Sequence, residues 1–222
     1  MTKKQRQCAY CGNLSDVLKT EHPMPKCLWP GKRPSLTMTV PSCSACESDF
    51  QENEAYFRNV VVVQGDLSNP SVQAHLQPDA PMGRGWPERP HTLREVLRGA
   101  GLKARFDHSR QMYVADLGFD LDVPRYHGCI EKIVRALFYK VRGKPLSPTS
   151  GIWVEADSTK FGLDPYASCI QKMHPWTSFG DRVFACRYAL DNTHSDASCW
   201  LVCFFESVQV FAMTLPADLE QD

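Results

Sequence analysis

At 222 residues the chain is long enough for one large domain or two small ones, and 43% hydrophobic residues are enough to bury a core. Twenty-five basic residues balance twenty-five acidic ones, which excludes nucleic-acid binding driven by overall basicity and requires any such binding to be local. The opening "MTKKQRQCAYC" lacks the apolar core of a secretory signal and no segment approaches the ~18 uninterrupted apolar residues of a membrane span, so the expectation is a soluble cytoplasmic protein with no membrane partner.

Residues 1–63 read as a first unit, and its cysteines define it. Five of the ten cysteines fall in the first 46 residues. With no export signal a disulfide framework is not expected, because cytoplasmic reductants keep thiols reduced, and metal binding becomes the leading explanation for the ordered ones. Cys8 and Cys11 form a C-x2-C followed by Gly12, and Cys43 and Cys46 form a second one in "PSCSACE". A tight turn lets both thiolates of a pair face one ion, and two such turns supply the four sulfurs that tetrahedral zinc prefers. Glycine after the first pair suits the positive φ of such a turn. The alternative is four buried free thiols, which would not need this spacing. Cys27 and the five later cysteines show no second pair at ligand spacing, and Cys199 and Cys203 in "CWLVCFF" read as small buried hydrophobes.

Between the pairs lie 31 residues. "VLKTEHPMPKCLWP" has strand character before its prolines, and "SLTMTV" reads as a second short strand. "CESDFQENEAYFRNVVV" then looks helical, with acids crowding its first turn and Phe50, Tyr56 and Phe57 on an apolar side. Residues 1–35 carry seven bases against two acids, a net +5, so this module is locally basic although the chain is neutral.

Residues 64–90 concentrate Pro, Gly and polar side chains and read as a loop-rich linker with at most one short helix. Residues 91–222 read as a mixed α+β domain with an antiparallel sheet. "HTLREVLRGAG" is expected as a helix and "KARFDHSRQMYVADLG" as a hairpin turning at "DHSR". "YHGCIEKIVRALFYKVRGKPL" is the clearest helix, with Ile130, Ile133, Val134, Leu137 and Phe138 on one face and Gly143 as its stop. "SGIWVEA", "RVFACRYAL", "ASCWLVCFF" and "SVQVFAMTL" are strand candidates, the last two joined by a tight turn near Glu206.

The first C-x2-C, "TEHPMPK", "TMTVPSC" and a second C-x2-C opening a helix together resemble the HNH endonucleases of the ββα-metal, or His-Me finger, class in their zinc-stapled form. The resemblance covers residues 8 to about 58. It implies a zinc-stapled ββα-metal module ahead of the α+β domain, and metal-dependent hydrolysis of DNA phosphodiester bonds in restriction, phage defence or a mobile element. That chemistry needs a nucleophilic water, relief of phosphate charge and stabilisation of the departing 3' oxygen. The resemblance gives His22 the role of general base, for which a neutral imidazole of ordinary pKa about 6.5 is suited. It makes Glu21 a ligand of a hard divalent cation, Mg2+ or Mn2+, distinct from the structural zinc on Cys8, Cys11, Cys43 and Cys46. Glu47 stands where the family usually has His or Asn as the second cation ligand, and a carboxylate there can still bind the ion. Asn53 is a fallback ligand, and Lys26 a candidate phosphate contact. The family's central Asn would fall near Met38, where none lies. These two departures motivate a second reading: a catalytically degenerate zinc module acting as a nucleic-acid-binding or protein-binding adaptor or inhibitor. In either case the C-terminal domain is the candidate for substrate selection, homodimerisation or binding a partner protein.

Overall fold

The computed structural model describes residues 6–15, 17–31, 38–48, 51–77, 96–180 and 182–217, and expectations that fall on the intervening segments lie outside the described residues. The first cysteine pair sits in a small antiparallel turn between β1 (Arg6–Gln7) and β2 (Leu14–Ser15). Inside it the Cys8 N–H donates to the Asn13 carbonyl at 3.0 Å and the Gly12 N–H to the Cys8 carbonyl at 3.0 Å. Gly12 has φ 75°, the left-handed conformation that a residue without Cβ adopts freely.

β3 (Lys19–Glu21) then pairs antiparallel with β4 (Val40–Ser42), Thr20 opposite Pro41. The second strand was expected in "SLTMTV"; the observed one starts at the last residue of that run and passes through Pro41. Proline has no N–H to give a ladder. Here it contributes its carbonyl, which accepts from the Ala9 N–H at 2.8 Å and ties β4 to the cysteine turn. α1 (Ser44–Ser48) opens inside the second cysteine pair, and α2 (Gln51–Gln64) follows.

The loop-rich segment holds the short helix α3 (Pro70–Leu76). Asn69 caps it by accepting from the Ser71 N–H at 2.9 Å, with Pro70 in the first helical turn. The other end of the Asn69 side chain donates to the Phe205 carbonyl at 3.0 Å. β5 (Gly101–Asp107) and β6 (Met112–Gly118) form a hairpin whose register, Asp107 opposite Met112, places the turn at 108–111, one residue later than expected. The Asp107 carboxylate fixes that turn by accepting from the N–H groups of Ser109 and Arg110.

α4 (Val123–Arg142) is the helix expected from its apolar stripe. Asp122 caps its start, and at its end Gly143 has φ 72° and donates to the Tyr139 carbonyl at 2.9 Å. Next come β7 (Gly151–Glu155), the short helix α5 (Tyr166–Gln171), β8 (Thr177–Phe179), β9 (Phe184–Leu190), β10 (Ser198–Phe204) and β11 (Val208–Leu215). The strands make one five-stranded antiparallel sheet in the order β7-β11-β10-β9-β8. α5 and β8 were not anticipated.

Alternation along β10 sorts the packing. Trp200, Val202 and Phe204 join the main core, where the Phe57 ring of α2 meets Phe204 and α4's Tyr126, each at 5.2 Å. Leu201 instead packs with Phe211 and Met173 in a smaller cluster that α5 borders. The main buried cluster runs from Cys8 through Met24, Phe57 and Ile133 to Ala212, so one core joins the cysteine-bearing segment to the sheet. The architecture is mixed α+β, as expected. No helix among the described residues is long and apolar enough to cross a membrane.

Candidate metal centre and the acid-histidine doublet

The two cysteine pairs, separated by 31 residues of chain, meet at one point. One sulfur from each of Cys8, Cys11, Cys43 and Cys46 lies within 4.8 Å of all the others. The local backbone explains the convergence. The β1–β2 turn presents Cys8 and Cys11, β4 delivers Cys43, and the first turn of α1 brings Cys46 round, with the Glu47 N–H donating to the Cys43 carbonyl at 3.1 Å. The Cys43 N–H also donates to the Cys8 sulfur at 3.4 Å, which links the pairs.

Cys11 and Cys43 have their sulfurs 3.8 Å apart. Four sulfurs placed tetrahedrally at a zinc–sulfur distance of about 2.3 Å stand about 3.8 Å from one another, so this spacing fits the ion. The electrostatics agree. Burial pushes the Cys11 and Cys46 thiols up, whereas a hydrogen bond from the Cys46 backbone draws Cys43 down. Thiolates this close repel one another, and a cation between them offsets that repulsion. The group could therefore hold a metal ion such as zinc, and it is the only such group of three or more His, Cys, Asp or Glu side chains among the described residues.

The acid-histidine doublet lies at the end of β3, with Glu21 opposite Val40 and His22 half-buried just after the strand. Glu21 points inward. Its Oε1 lies 2.5 Å from the Nζ of Lys132, which projects from α4 and also meets Glu54 of α2 at 2.8 Å. The Lys132 side chain is 2% exposed and that of Glu21 12%. Burial works to lower the lysine's affinity for its proton, but the Glu54 charge and the bonds to both carboxylates outweigh it and hold Lys132 above the ordinary lysine range. Tyr10 flanks the same carboxylate: burial first, then the charge of Glu21, pushes its phenol up, so it stays protonated.

Glu47 goes elsewhere. Its Oε2 meets the Nζ of Lys19 at 2.6 Å in an exposed ion pair. Glu21 and Glu47 thus end in separate pairs, one buried and one in solvent, and Glu54, which the sequence reading did not single out, is the acid that comes to Glu21. Asn53 accepts from the Arg125 Nε at 3.2 Å, and Lys26 is exposed on a single 3-10 turn, Lys26–Leu28. Met38, near the place of the family's central Asn, is 8% exposed. A divalent cation does not fit Glu21 as it stands, because an ammonium already sits against its carboxylate.

No protein-family model matches the chain, and comparison with curated proteins and with solved structures finds no match. The site's assignment therefore rests on its own chemistry. Lys132 and Glu54 were missed because each looks ordinary on its own helix. The signal that could have found them is a lysine set among Cys129, Ile130, Ile133 and Ala136 on an otherwise apolar face: a charge placed there has to meet an opposite one.

Proposed function

We propose that the chain is a zinc-stapled nuclease of the HNH type, hydrolysing DNA phosphodiester bonds with His22 as the base that takes a proton from the attacking water. The observation that supports this reading is the meeting of the four cysteines around a strand pair that ends in the Glu21-His22 doublet and runs on into a helix. In this reading zinc is the metal of the cysteine group, and the ion is structural because four thiolates leave it no open position. Neutral imidazole accepts a proton near pH 7, and exposed Lys26, three residues beyond Pro23, is the proposed contact for the phosphate.

A second reading, a non-catalytic adaptor that binds nucleic acid or a protein, is favoured by one specific contact: Lys132 against Glu21, where a cation would have to bind. Incubation of supercoiled plasmid with the full chain in Mg2+, in Mn2+ and in a chelator separates the two. The nuclease reading expects nicking or linearisation that falls about 100-fold or more in His22→Ala. Cleavage that persists in chelator would assign the reaction to side chains alone. Equal cleavage by wild type and His22→Ala would remove His22 from the mechanism, and an intact plasmid throughout would leave the adaptor.

A further inference from the structure

A second pair of thiols lies outside the four-cysteine group. Cys199 is the second residue of β10, on the face with Leu201, and Cys169 is on α5, which borders that face. The Cys199 thiol donates to the Cys169 sulfur at 3.1 Å. That distance is shorter than the 3.8 Å between Cys11 and Cys43 and about 1 Å longer than a disulfide bond. The two sulfurs have no third ligand: among the described residues no His, Cys, Asp or Glu completes a metal-binding group with them. Both residues are half-buried rather than sealed, so a small oxidant has access. We infer that Cys169 and Cys199 are an oxidisable dithiol, which a peroxide converts to a disulfide that fixes α5 to β10.

The hydrogen bond assigns the two roles. The Cys169 sulfur, the acceptor of that bond, is the one that attacks the peroxide oxygen once it has given up its own proton, giving a sulfenic acid and hydroxide. The Cys199 sulfur then attacks the sulfenic sulfur. The S–S bond forms, the sulfenic hydroxyl leaves, and the Cys199 proton goes with it as water. Overall two thiols lose two electrons and two protons, and one hydrogen peroxide becomes two waters. Burial pushes the Cys199 thiol up, in keeping with its part as the second, resolving sulfur.

The bridge has something to hold. α5 has only six residues, and its C-terminal end is anchored by Arg187 of β9, whose Nη2 donates to the carbonyls of Ile170 at 2.8 Å and Met173 at 3.2 Å. A covalent link through Cys169 would fix the middle of the helix as well and close a chain loop of 30 residues of separation.

The test is oxidation of the full-length protein with hydrogen peroxide, then unfolding in chelator, alkylation, and peptide mapping without reductant. The expected result is a peptide pair joined through Cys169 and Cys199, two fewer alkylated cysteines, and slower amide exchange across α5. The pair should vanish in Cys169→Ser and persist in Cys203→Ser, whose cysteine lies on the same strand. Oxidation that stops at sulfinic acid on Cys169, full alkylation of both residues, or bridges scattered among the ten cysteines without preference for this pair would overturn the inference.

Discussion

Lys132 is a charged residue in an apolar place, and its two acids determine what it costs to alter. An ammonium with 2% exposure can stay ionised only while carboxylates compensate it, and Glu21 and Glu54 do so at 2.5 and 2.8 Å. Lys132→Met leaves those two acids facing each other in a half-buried site without the cation between them. The expected loss is about 3–5 kcal/mol, as for other buried pairs broken on one side. Lys19→Ala, which breaks the exposed contact to Glu47, should cost less than about 1 kcal/mol. Urea unfolding of both variants checks the contrast. The triple variant Lys132→Met, Glu21→Gln, Glu54→Gln should recover much of the loss, since no net charge is then left buried. Equal, small losses for both single variants would show that the buried contact carries no more than a surface pair.

Local signals determined which elements could be read from the sequence. α4 was legible in its body and at its stop because its stripe of Ile130, Ile133, Val134, Leu137 and Phe138 repeats at helical spacing and Gly143 takes the left-handed conformation at its end, while its start at Val123 lies three residues before the expected one. The longer strands were legible because β7, β9, β10 and β11 are short runs rich in apolar and aromatic residues bounded by turns. β4 was misplaced because Pro41 argues against a strand locally, while the carbonyl contact to Ala9 that admits it comes from across the cysteine turn. β8 and α5, at three and six residues, are too short to show a period and are held by Phe184 and by Arg187 from β9. α3 makes a tertiary contact of the same kind. Its His75 is 1% exposed and bonds through Nε2 to the Leu28 carbonyl at 2.9 Å, anchoring the helix against the 3-10 turn. With Nε2 donating, Nδ1 is bare and buried without a partner, so protonation there adds a charge that nothing receives. Burial accordingly holds the His75 pKa below the ordinary histidine value of about 6.5. The unfolded chain then binds the proton more readily than the folded one. The stabilisation is complete above pH 6.5 and is lost as pH falls through 6.5 toward the folded value, by at most about 1.4 kcal/mol per pH unit. His75→Gln keeps a donor for Leu28 and removes the titration. Urea midpoints between pH 8 and 5 should fall less steeply for that variant; parallel curves would assign the acid sensitivity to other groups.

Across the whole molecule, what matters is how far the cysteine group's influence reaches. The sequence suggested three units, 1–63, 64–90 and 91–222, because composition changes at those points. Composition does not register that Cys8 and Trp200, both fully buried, belong to one packed cluster. The bonds between the segments are specific as well: Tyr56 of α2 accepts from the Asp122 N–H at the start of α4 at 2.7 Å, and Lys132 reaches back to Glu21. A metal on the four cysteines would fix both ends of the 31-residue insert, and through Glu21 and Val40 it would also fix the surface against which α4 packs. Zinc analysis of the purified protein should return about one ion per chain, and Cys43→Ser should lose it. Removal is then expected to raise amide exchange not only in 6–48 but also in α2, α4 and β10, with a single thermal transition moving to lower temperature. Exchange that rises in 6–48 while β10 keeps its protection would mean that the cysteine segment unfolds by itself and that the shared core does not couple it to the sheet. Unchanged exchange everywhere, with zinc retained in Cys43→Ser, would mean that the four thiols are packing residues and the spacing of the two pairs has another cause.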